Sequence, residues 1–360
     1  MTWWLPHEFD KKRPFLEKRM QINRAIRDFF DGQGFQEVET PILQVCPVMD
    51  THIHAFQTEV LDAGLKHERD LYLHTSPEFA MKKLMVAGMP KIYQLCHVFR
   101  NGEGGRLHSP EFTMLEWYRA QAGYRDIMDD CVRLLRFVAE KLGTKTYTYR
   151  GLESDPFLDW NIISVAGAFE RYAGIDLTAY LPSPFREKRV GAPKQSEGGQ
   201  GEDETKKFRQ KISSLGIRVA EDDRWDDLFF RVMAEKIEPH LGVGAPAILY
   251  DYPVSMASLA RKKPEDPRFA ERFEMYVCGI ELCNAFGELI DPVEQRKRFH
   301  EEIDMKEKLY GYRYPFDEDF LRALEHGLPE SGGNALGVDR LAMLATGTDD
   351  ISQVLWTGKP

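Results

Sequence analysis

The sequence predicts an α+β fold, an antiparallel sheet flanked by helices. Three observations point to it. Residues 92–100 and 111–119 alternate as a pair of strands joined by the short connection 102–110. Helix-spaced apolar segments gather apart from the strand pairs instead of following each strand in turn, as a parallel βαβ fold would require. No glycine-rich phosphate loop of the Walker or dinucleotide type is present.

Taken in order, residues 15–31 have helical spacing, with Phe15, Met20, Ile22, Ile26, Phe29 and Phe30 largely on one face and Gly32 and Gly34 available to stop the helix. Residues 35–41 read as an extended segment ended by Pro41. Residues 56–60 and 70–74 read as further strands. Residues 77–87 read as a short helix with Ser76 as N-cap and Pro77 in the first turn. Helices are expected at 124–142, 160–173 and 223–238, strands at 247–251 and 273–288, and helices at 292–309, 317–326 and 339–346. Residues 191–203 contain no apolar side chain larger than alanine or proline, so they read as a mobile surface insertion in an otherwise single domain spanning 1–360.

With 42% hydrophobic and 12% aromatic residues, the chain has ample material for a packed core. No run of about 18 apolar residues occurs, which argues against a membrane span. The first residues, with Lys11-Lys12-Arg13, lack the apolar stretch of a signal peptide. Five unclustered cysteines, Cys46, Cys96, Cys131, Cys278 and Cys283, read as reduced thiols of a cytoplasmic protein. Cys278 and Cys283 are expected to be buried. A net charge of −10 argues against broad nucleic-acid binding.

Three clusters carry chemistry. In the strand around 112–118, alternation puts Phe112, Met114, Glu116 and Tyr118 on one face and Thr113, Leu115 and Trp117 on the other. An aromatic ring, a thioether, a carboxylate and a phenol on one face suit a pocket that grips a flat ring at one end and a cation at the other. Arg100, at the end of the preceding strand, suits an anion. The alternative is a half-buried hairpin with an Arg100–Glu116 ion pair. In the second cluster Asn284, Phe286 and Glu288 share a face, and Glu274 has their parity but Glu281 does not. Glu281 enters the same site only if a bulge or turn lies between 281 and 284. Carboxylates in an apolar run require a cation: a metal, a substrate ammonium, or a local lysine or arginine. In the third cluster, residues 332–341, small residues allow close backbone approach, and Arg340 opposes the dipole of the helix it opens, as a cation answering an anion or stacking on a ring would. His52 and His54 could bind metal, but without a third ligand they read as surface or packing residues.

Together these clusters resemble the signature motifs of class II aminoacyl-tRNA synthetases across roughly residues 15–355. Glu37-Val38-Glu39-Thr40-Pro41 is similar to motif 1, Phe99-Arg100 through His108-Ser109-Pro110-Glu111-Phe112-Thr113-Met114-Leu115-Glu116-Trp117-Tyr118 to motif 2, and Ala335-Leu336-Gly337-Val338-Asp339-Arg340-Leu341 to motif 3. The strings 110–118 and 281–288 resemble the lysine branch. The resemblance implies ATP and Mg²⁺ as cofactors, a homodimer formed through motif 1, and activation of a lysine-like amino acid as its adenylate. It implies that Arg100 holds the α-phosphate and the attacking carboxylate, and that Phe112 and Arg340 sandwich the adenine. His108 and Ser109 would lie on the loop closing over ATP, with Asn101, Gly102, Glu103, Leu282 and Gly337 beside the nucleotide. Glu274 and Glu281 would hold magnesium. Tyr118 and Glu288 would receive the side-chain ammonium, with Ser76, Pro77 and Glu78 at the other end of the amino acid and Met114, Glu116, Asn284, Phe286 and Ala335 around it. One departure stands out: motif 2 ordinarily reads Phe-Arg-x-Glu, whereas here Gly102 takes the last place and the carboxylate follows at Glu103. Either Glu103 substitutes through a shifted loop or the contact is lost.

A tRNA-charging lysyl enzyme carries an anticodon-binding barrel of about a hundred residues before motif 1; here the motif 1 helix is expected near Phe15, without room for one. The layout resembles the shortened elongation factor P (R)-β-lysine ligase family, which also has alanine where the tRNA enzymes have glycine in motif 3, at Ala335. That implies elongation factor P as acceptor and makes tRNA binding unexpected. An added methyl would favour a β- over an α-amino group by on the order of 1–3 kcal/mol, unless Ala335 merely packs. Two rival readings are a truncated synthetase serving tRNA or another acceptor, and a non-catalytic nucleotide-binding paralogue.

Overall fold

The computed structural model describes residues 3–181 and 201–358, with no account of the side chains of 201 and 202. Most of the expected insertion at 191–203 lies outside the described residues. Its last three residues instead open an unforeseen helix, Gly201–Ser214, whose Phe208 and Ile212 are buried.

In chain order the elements are α1 (Pro6–Asp31), β1 (Gln36–Glu37), β2 (Leu43–Gln44), β3 (Gln57–Leu61), β4 (His67–Leu73), α2 (Glu78–Val86), β5 (Lys91–Phe99), β6 (Glu111–Ala120), α3 (Tyr124–Leu142), β7 (Tyr147–Tyr149), β8 (Leu152–Ser154) and β9 (Asn161–Ser164). There follow α4 (Val165–Ala168), α5 (Gly201–Ser214), α6 (Trp225–Val232), β10 (Ala247–Pro253), β11 (Phe269–Val277), β12 (Ile280–Gly287), α7 (Pro292–Tyr310), α8 (Glu318–Gly327), β13 (Ser331–Gly337) and α9 (Val338–Thr346).

Eight strands form the central sheet in the order β1-β5-β6-β13-β12-β11-β10-β9. Every pairing from β5 to β10 is antiparallel, and the parallel pairs β1–β5 and β9–β10 occur only at the edges. This is the expected α+β arrangement. Because side chains alternate across a strand, register decides which residues share a face. Glu116, Ala335, Asn284 and Glu274 stand opposite one another in a row across four strands. Tyr118, Gly333, Phe286 and Arg272 form the next row. The opposite face carries Leu115, Trp117, Leu336, Phe273 and Met275, which are buried with apolar residues of α1, α3 and α9 in one hydrophobic core. A second core lies around α6 and β10, and a third around α2, α7 and α8.

Several expectations needed adjustment. The first helix starts at Pro6, not near 15, because its opening turns are charged: Lys11–Glu8 and Arg13–Asp10 pair at 2.8 Å one turn apart. Such residues leave no apolar periodicity to read. Met20 faces solvent, and Arg19 takes a buried place on that face. Of segment 35–41 only Gln36–Glu37 joins the sheet, paired with β5. Segment 160–173 is a helix only in its second part. Its first residues form β9, whose Ile162 and Ile163 are β-branched, and Ser164 then caps α4 by accepting from the Gly167 N–H at 3.1 Å. At α2 the N-cap is Pro77, one residue later than expected, although Ser76 Oγ still accepts from the Glu78 N–H at 3.0 Å.

Segment 273–288 is a hairpin. Cys278 and Gly279 form its turn with φ of 52° and 75°, the left-handed pair of a tight hairpin. Beyond the turn the register slips: Tyr276 faces Glu281 while Met275 faces Cys283. Leu282 is the extra residue. The bulge required for Glu281 to join the face of Asn284 is therefore present.

Candidate active site

A cleft with about 1020 Å³ of empty space, mouth included, opens beside Ala335 and Asn284 of the first of these rows and Phe286 of the second. β5 ends at Phe99, and Arg100 follows with its N–H donating to the Pro110 carbonyl at 2.8 Å, which fixes its side chain at the cleft. Its guanidinium lies 5.2 Å from the Phe112 ring centroid and 3.6 Å from Glu103 Oε1. Glu103, the carboxylate one place later in motif 2, thus lies beside Arg100 on the cleft wall. The expected alternative of an Arg100–Glu116 pair is not realised: Glu116 accepts from Ser76 Oγ at 2.5 Å and from the Tyr118 hydroxyl at 2.9 Å.

Arg340, in the first turn of α9, donates to the Glu281 carbonyl at 2.8 Å and lies 2.7 Å from His108 Nε2. Its neighbour Asp339 is buried and paired with Arg19 of α1. Asp339 also accepts from the Thr113 N–H at 2.8 Å, and Arg19 donates to Thr113 Oγ1 at 2.7 Å and to the Val354 carbonyl at 2.8 Å. This network ties the first helix to β6 and to the helix that carries Arg340.

Of the expected site residues, the cleft wall holds Arg100, Glu103, His108, Ser109, Phe112, Glu281, Leu282, Gly337, Arg340, Ser76, Glu78, Met114, Asn284, Phe286 and Ala335. Asn101 and Gly102 line a neighbouring surface groove with His54, Tyr72, Tyr312 and Tyr314. Pro77, Glu116, Tyr118, Glu274 and Glu288 are not on the cleft wall. Glu274 lies behind it with both oxygens engaged, Oε1 by Arg272 at 2.6 Å and Oε2 by the Tyr252 and Tyr276 hydroxyls at 2.6 and 2.7 Å. The charge of Glu274, after burial itself, helps raise the carboxyl of Glu281 to about 7. Among the described residues, no group of three or more histidines, cysteines or carboxylates is placed to hold a metal. His52 Nδ1 meets the Tyr310 hydroxyl at 2.8 Å and His54 pairs with Tyr312.

Sequence reasoning missed Lys82. Its ammonium is buried, 2.5 Å from Glu78 Oε1 and 2.5 Å from Glu288 Oε2. The only signal was its spacing of four from Glu78 on a short helix. Arg272, Asp339 and Arg19 were also missed; each sits among residues that the patterns did single out.

The sheet and the cleft define a class of protein, and comparison agrees: the family of class II tRNA synthetases (D, K and N) matches residues 4–359, and the chain belongs to it. Within that class it belongs with proteins named elongation factor P–(R)-β-lysine ligase. The one from Edwardsiella ictaluri is 39% identical over 340 residues, 94% of this chain and 93% of its own length. Those from Vibrio cholerae and Klebsiella pneumoniae are each 39% identical, over 342 and 343 residues, covering 94% and 95% of this chain and 93% and 94% of their own. Ligase function follows from this membership. No helix among the described residues is long and apolar enough to cross a membrane.

Proposed function

We propose that the chain uses ATP to activate (R)-β-lysine as its adenylate and transfers the β-lysyl group to a lysine side chain of elongation factor P. The observation that carries this is the pair of guanidinium groups on the cleft wall, Arg100 and Arg340, together with Glu78 on the same wall, which joins the cleft to the buried group of Lys82 and Glu288. An aminoacyl-adenylate of a lysine-like acid has matching charges, an anionic phosphate and a cationic acyl group.

In the first step a substrate carboxylate oxygen attacks the α-phosphorus and pyrophosphate leaves. No protein nucleophile is needed, so the protein's task is alignment and charge. Arg100 holds the α-phosphate and the attacking carboxylate, and Phe112 and Arg340 hold the adenine between a ring and a guanidinium. In the second step a neutral acceptor amine attacks the acyl carbon, AMP leaves, and the amine loses a proton. The carboxylates receive the two substrate ammonium groups, and Ala335, between Glu116 and Asn284, narrows the space beside the α-carbon. Magnesium supplies neutralising charge on the phosphates. A site with one or two carboxylates, completed by phosphate oxygens and water, is usual for this ion. Glu281, on the wall, would hold it, whereas Glu274 would take part only by giving up one of its bonds to Arg272, Tyr252 or Tyr276. The chain acts as a homodimer; Ile42, Leu43 and Val45, exposed next to the motif 1 segment, support an isologous contact there.

The test is to incubate the protein with ATP, magnesium, (R)-β-lysine and elongation factor P and to weigh the acceptor by mass spectrometry. A gain of one lysyl group on a lysine, dependent on every component, supports the reading. An unmodified acceptor contradicts it.

A further inference from the structure

We propose that Lys82 is a positioning residue of the amino-acid end of the site, an internal ammonium that bridges Glu78 and Glu288 and so readies Glu288 to receive a substrate ammonium group. The inference rests on the adenylation reading above.

The geometry is specific. Glu78 and Lys82 lie one turn apart on α2, and Lys82 reaches Glu288, the residue following β12, at the same 2.5 Å. Lys82 is 1% exposed and Glu288 is 0% exposed, so neither charge has water to stabilise it. Neither oxygen of Glu288 accepts a hydrogen bond of good geometry, and Oε1, unlike Oε2, also has no ion-pair partner. A fully buried carboxylate oxygen without a donor marks a place where a ligand's N–H would be received. Glu78 belongs both to this cluster and to the cleft wall, so it connects the two. On β13 the facing residue is Gly333, where even a methyl group would collide with Tyr118 and with Glu288 Oε1. That strand therefore leaves the space to the charged groups.

The groups acting on Glu288 are Glu78 and Lys82 of α2, Tyr118 of β6 and, further off, Arg261, itself paired with Glu271 at 2.6 Å and with Glu330. Glu116 stands apart from this pair: burial and the charge of Glu78 raise its carboxyl to about 8, and it is bonded to Ser76 and Tyr118. Receiving a substrate ammonium therefore falls to Glu288 and Glu78, the two carboxyl groups that Lys82 touches. Burial raises the carboxyl of Glu288 to about 7, and Lys82 is the first influence holding it down. Burial opposes the charge on Lys82, but Glu288 and Glu78 outweigh it and keep the ammonium protonated well above its usual range. Without Lys82, Glu288 would hold its proton to higher pH and could not receive an ammonium.

The experiment is pyrophosphate exchange by the full chain with (R)-β-lysine and with L-lysine between pH 6 and 9. It compares the unaltered protein, Lys82→Met and Lys82→Arg. For Lys82→Met, the KM for the amino acid should rise about tenfold for each unit by which Glu288 moves up. The KM for ATP should stay near its original value, and the acid limb of kcat/KM should move to higher pH, so that the deficit narrows toward pH 9. A KM for ATP that rises in parallel, or an acid limb that stays in place, would overturn the proposal, because a merely structural lysine would produce either. Lys82→Arg keeps the charge, so its acid limb should coincide with that of the unaltered protein even where KM rises. If Lys82→Met fails to fold, a displaced limb in Lys82→Arg overturns the proposal and a coincident one supports it. Absence of exchange in the unaltered protein overturns the adenylation reading and this one with it. An active Lys82→Met with an unchanged amino-acid KM overturns this one alone.

Discussion

Replacing Arg19 with methionine tests whether the first helix is locked to the site through buried charge. Arg19 pairs with Asp339 where both side chains are nearly inaccessible, 6% and 2% exposed. The substitution removes that pair together with the bonds to Thr113 Oγ1 and to the Val354 carbonyl. Asp339 then keeps only the Thr113 N–H as a partner among these contacts. Removing one member of a buried ion pair destabilises by about 3–5 kcal/mol, because the remaining charge has neither water nor a counter-ion. With an unfolding entropy of about 2.1 cal/mol/K per residue, a 360-residue chain should lose roughly 4–7 °C in its melting midpoint. Differential scanning calorimetry of Arg19→Met, Asp339→Asn and the double variant measures this directly. Since the double variant leaves no orphaned charge, it should be less destabilised than the two single effects combined, with a coupling of about 0.5–3 kcal/mol. A midpoint within about 1 °C of the unaltered protein, or strictly additive losses, would refute the reasoning.

Four further outcomes are expected. Ala335→Gly should shift the ratio of kcat/KM for (R)-β-lysine over L-lysine toward L-lysine by roughly ten- to a hundredfold in pyrophosphate exchange, the range one methyl contributes. Arg100→Ala and Arg340→Ala should each lower the exchange rate about a hundredfold or more while leaving the fold intact by circular dichroism. Gly333→Ala should weaken amino-acid binding, read by calorimetric titration with (R)-β-lysine, because its methyl displaces Tyr118 and Glu288. The fourth concerns pH. Burial, then the charge of Glu78, raises the carboxyl of Glu116 to about 8. The folded protein therefore holds a proton that the unfolded chain, with an ordinary value of 4.5, releases. The contribution of this group to stability is fully present below about 4 and is lost as pH rises through about 8. Melting midpoints across this window should fall less steeply with pH in Glu116→Gln than in the unaltered protein; parallel curves would remove Glu116 from the explanation.

Where pattern and burial coincide, the sequence was informative. Alternation in β6 separates Leu115 and Trp117, which enter the main core, from Glu116 and Tyr118, which share the other face and bond to each other. The mismatched parity of Glu281 demanded a break, and the extra residue Leu282 supplies it. Arg100, Phe112 and Arg340 came to one cleft, though they lie far apart in the chain. Long-range register and buried charge were less legible. Nothing local distinguishes Lys82 from an exposed lysine on an amphipathic helix, since its burial depends on Glu288 arriving from the other side of the site. Arg19 was hidden in the same way: its partner Asp339 lies more than three hundred positions away, and charge on an otherwise apolar face reads as a surface residue. Lys82 and Arg272 also change the reading of the carboxylates, because Glu78, Glu288 and Glu274 already have internal cations as partners. The first turns of α1 and the start of β9 were missed for simpler reasons: charged i,i+3 pairs leave no apolar stripe, and β-branched residues directly before a serine cap favour a strand.

The most direct measurement is amino-acid-dependent exchange of pyrophosphate into ATP with (R)-β-lysine, with L-lysine and with no amino acid. Adenylation in a cleft narrowed by Ala335 predicts exchange that requires an amino acid and favours (R)-β-lysine. Equal or greater exchange with L-lysine would contradict the specificity proposed for this site, and no exchange with either would contradict adenylation itself.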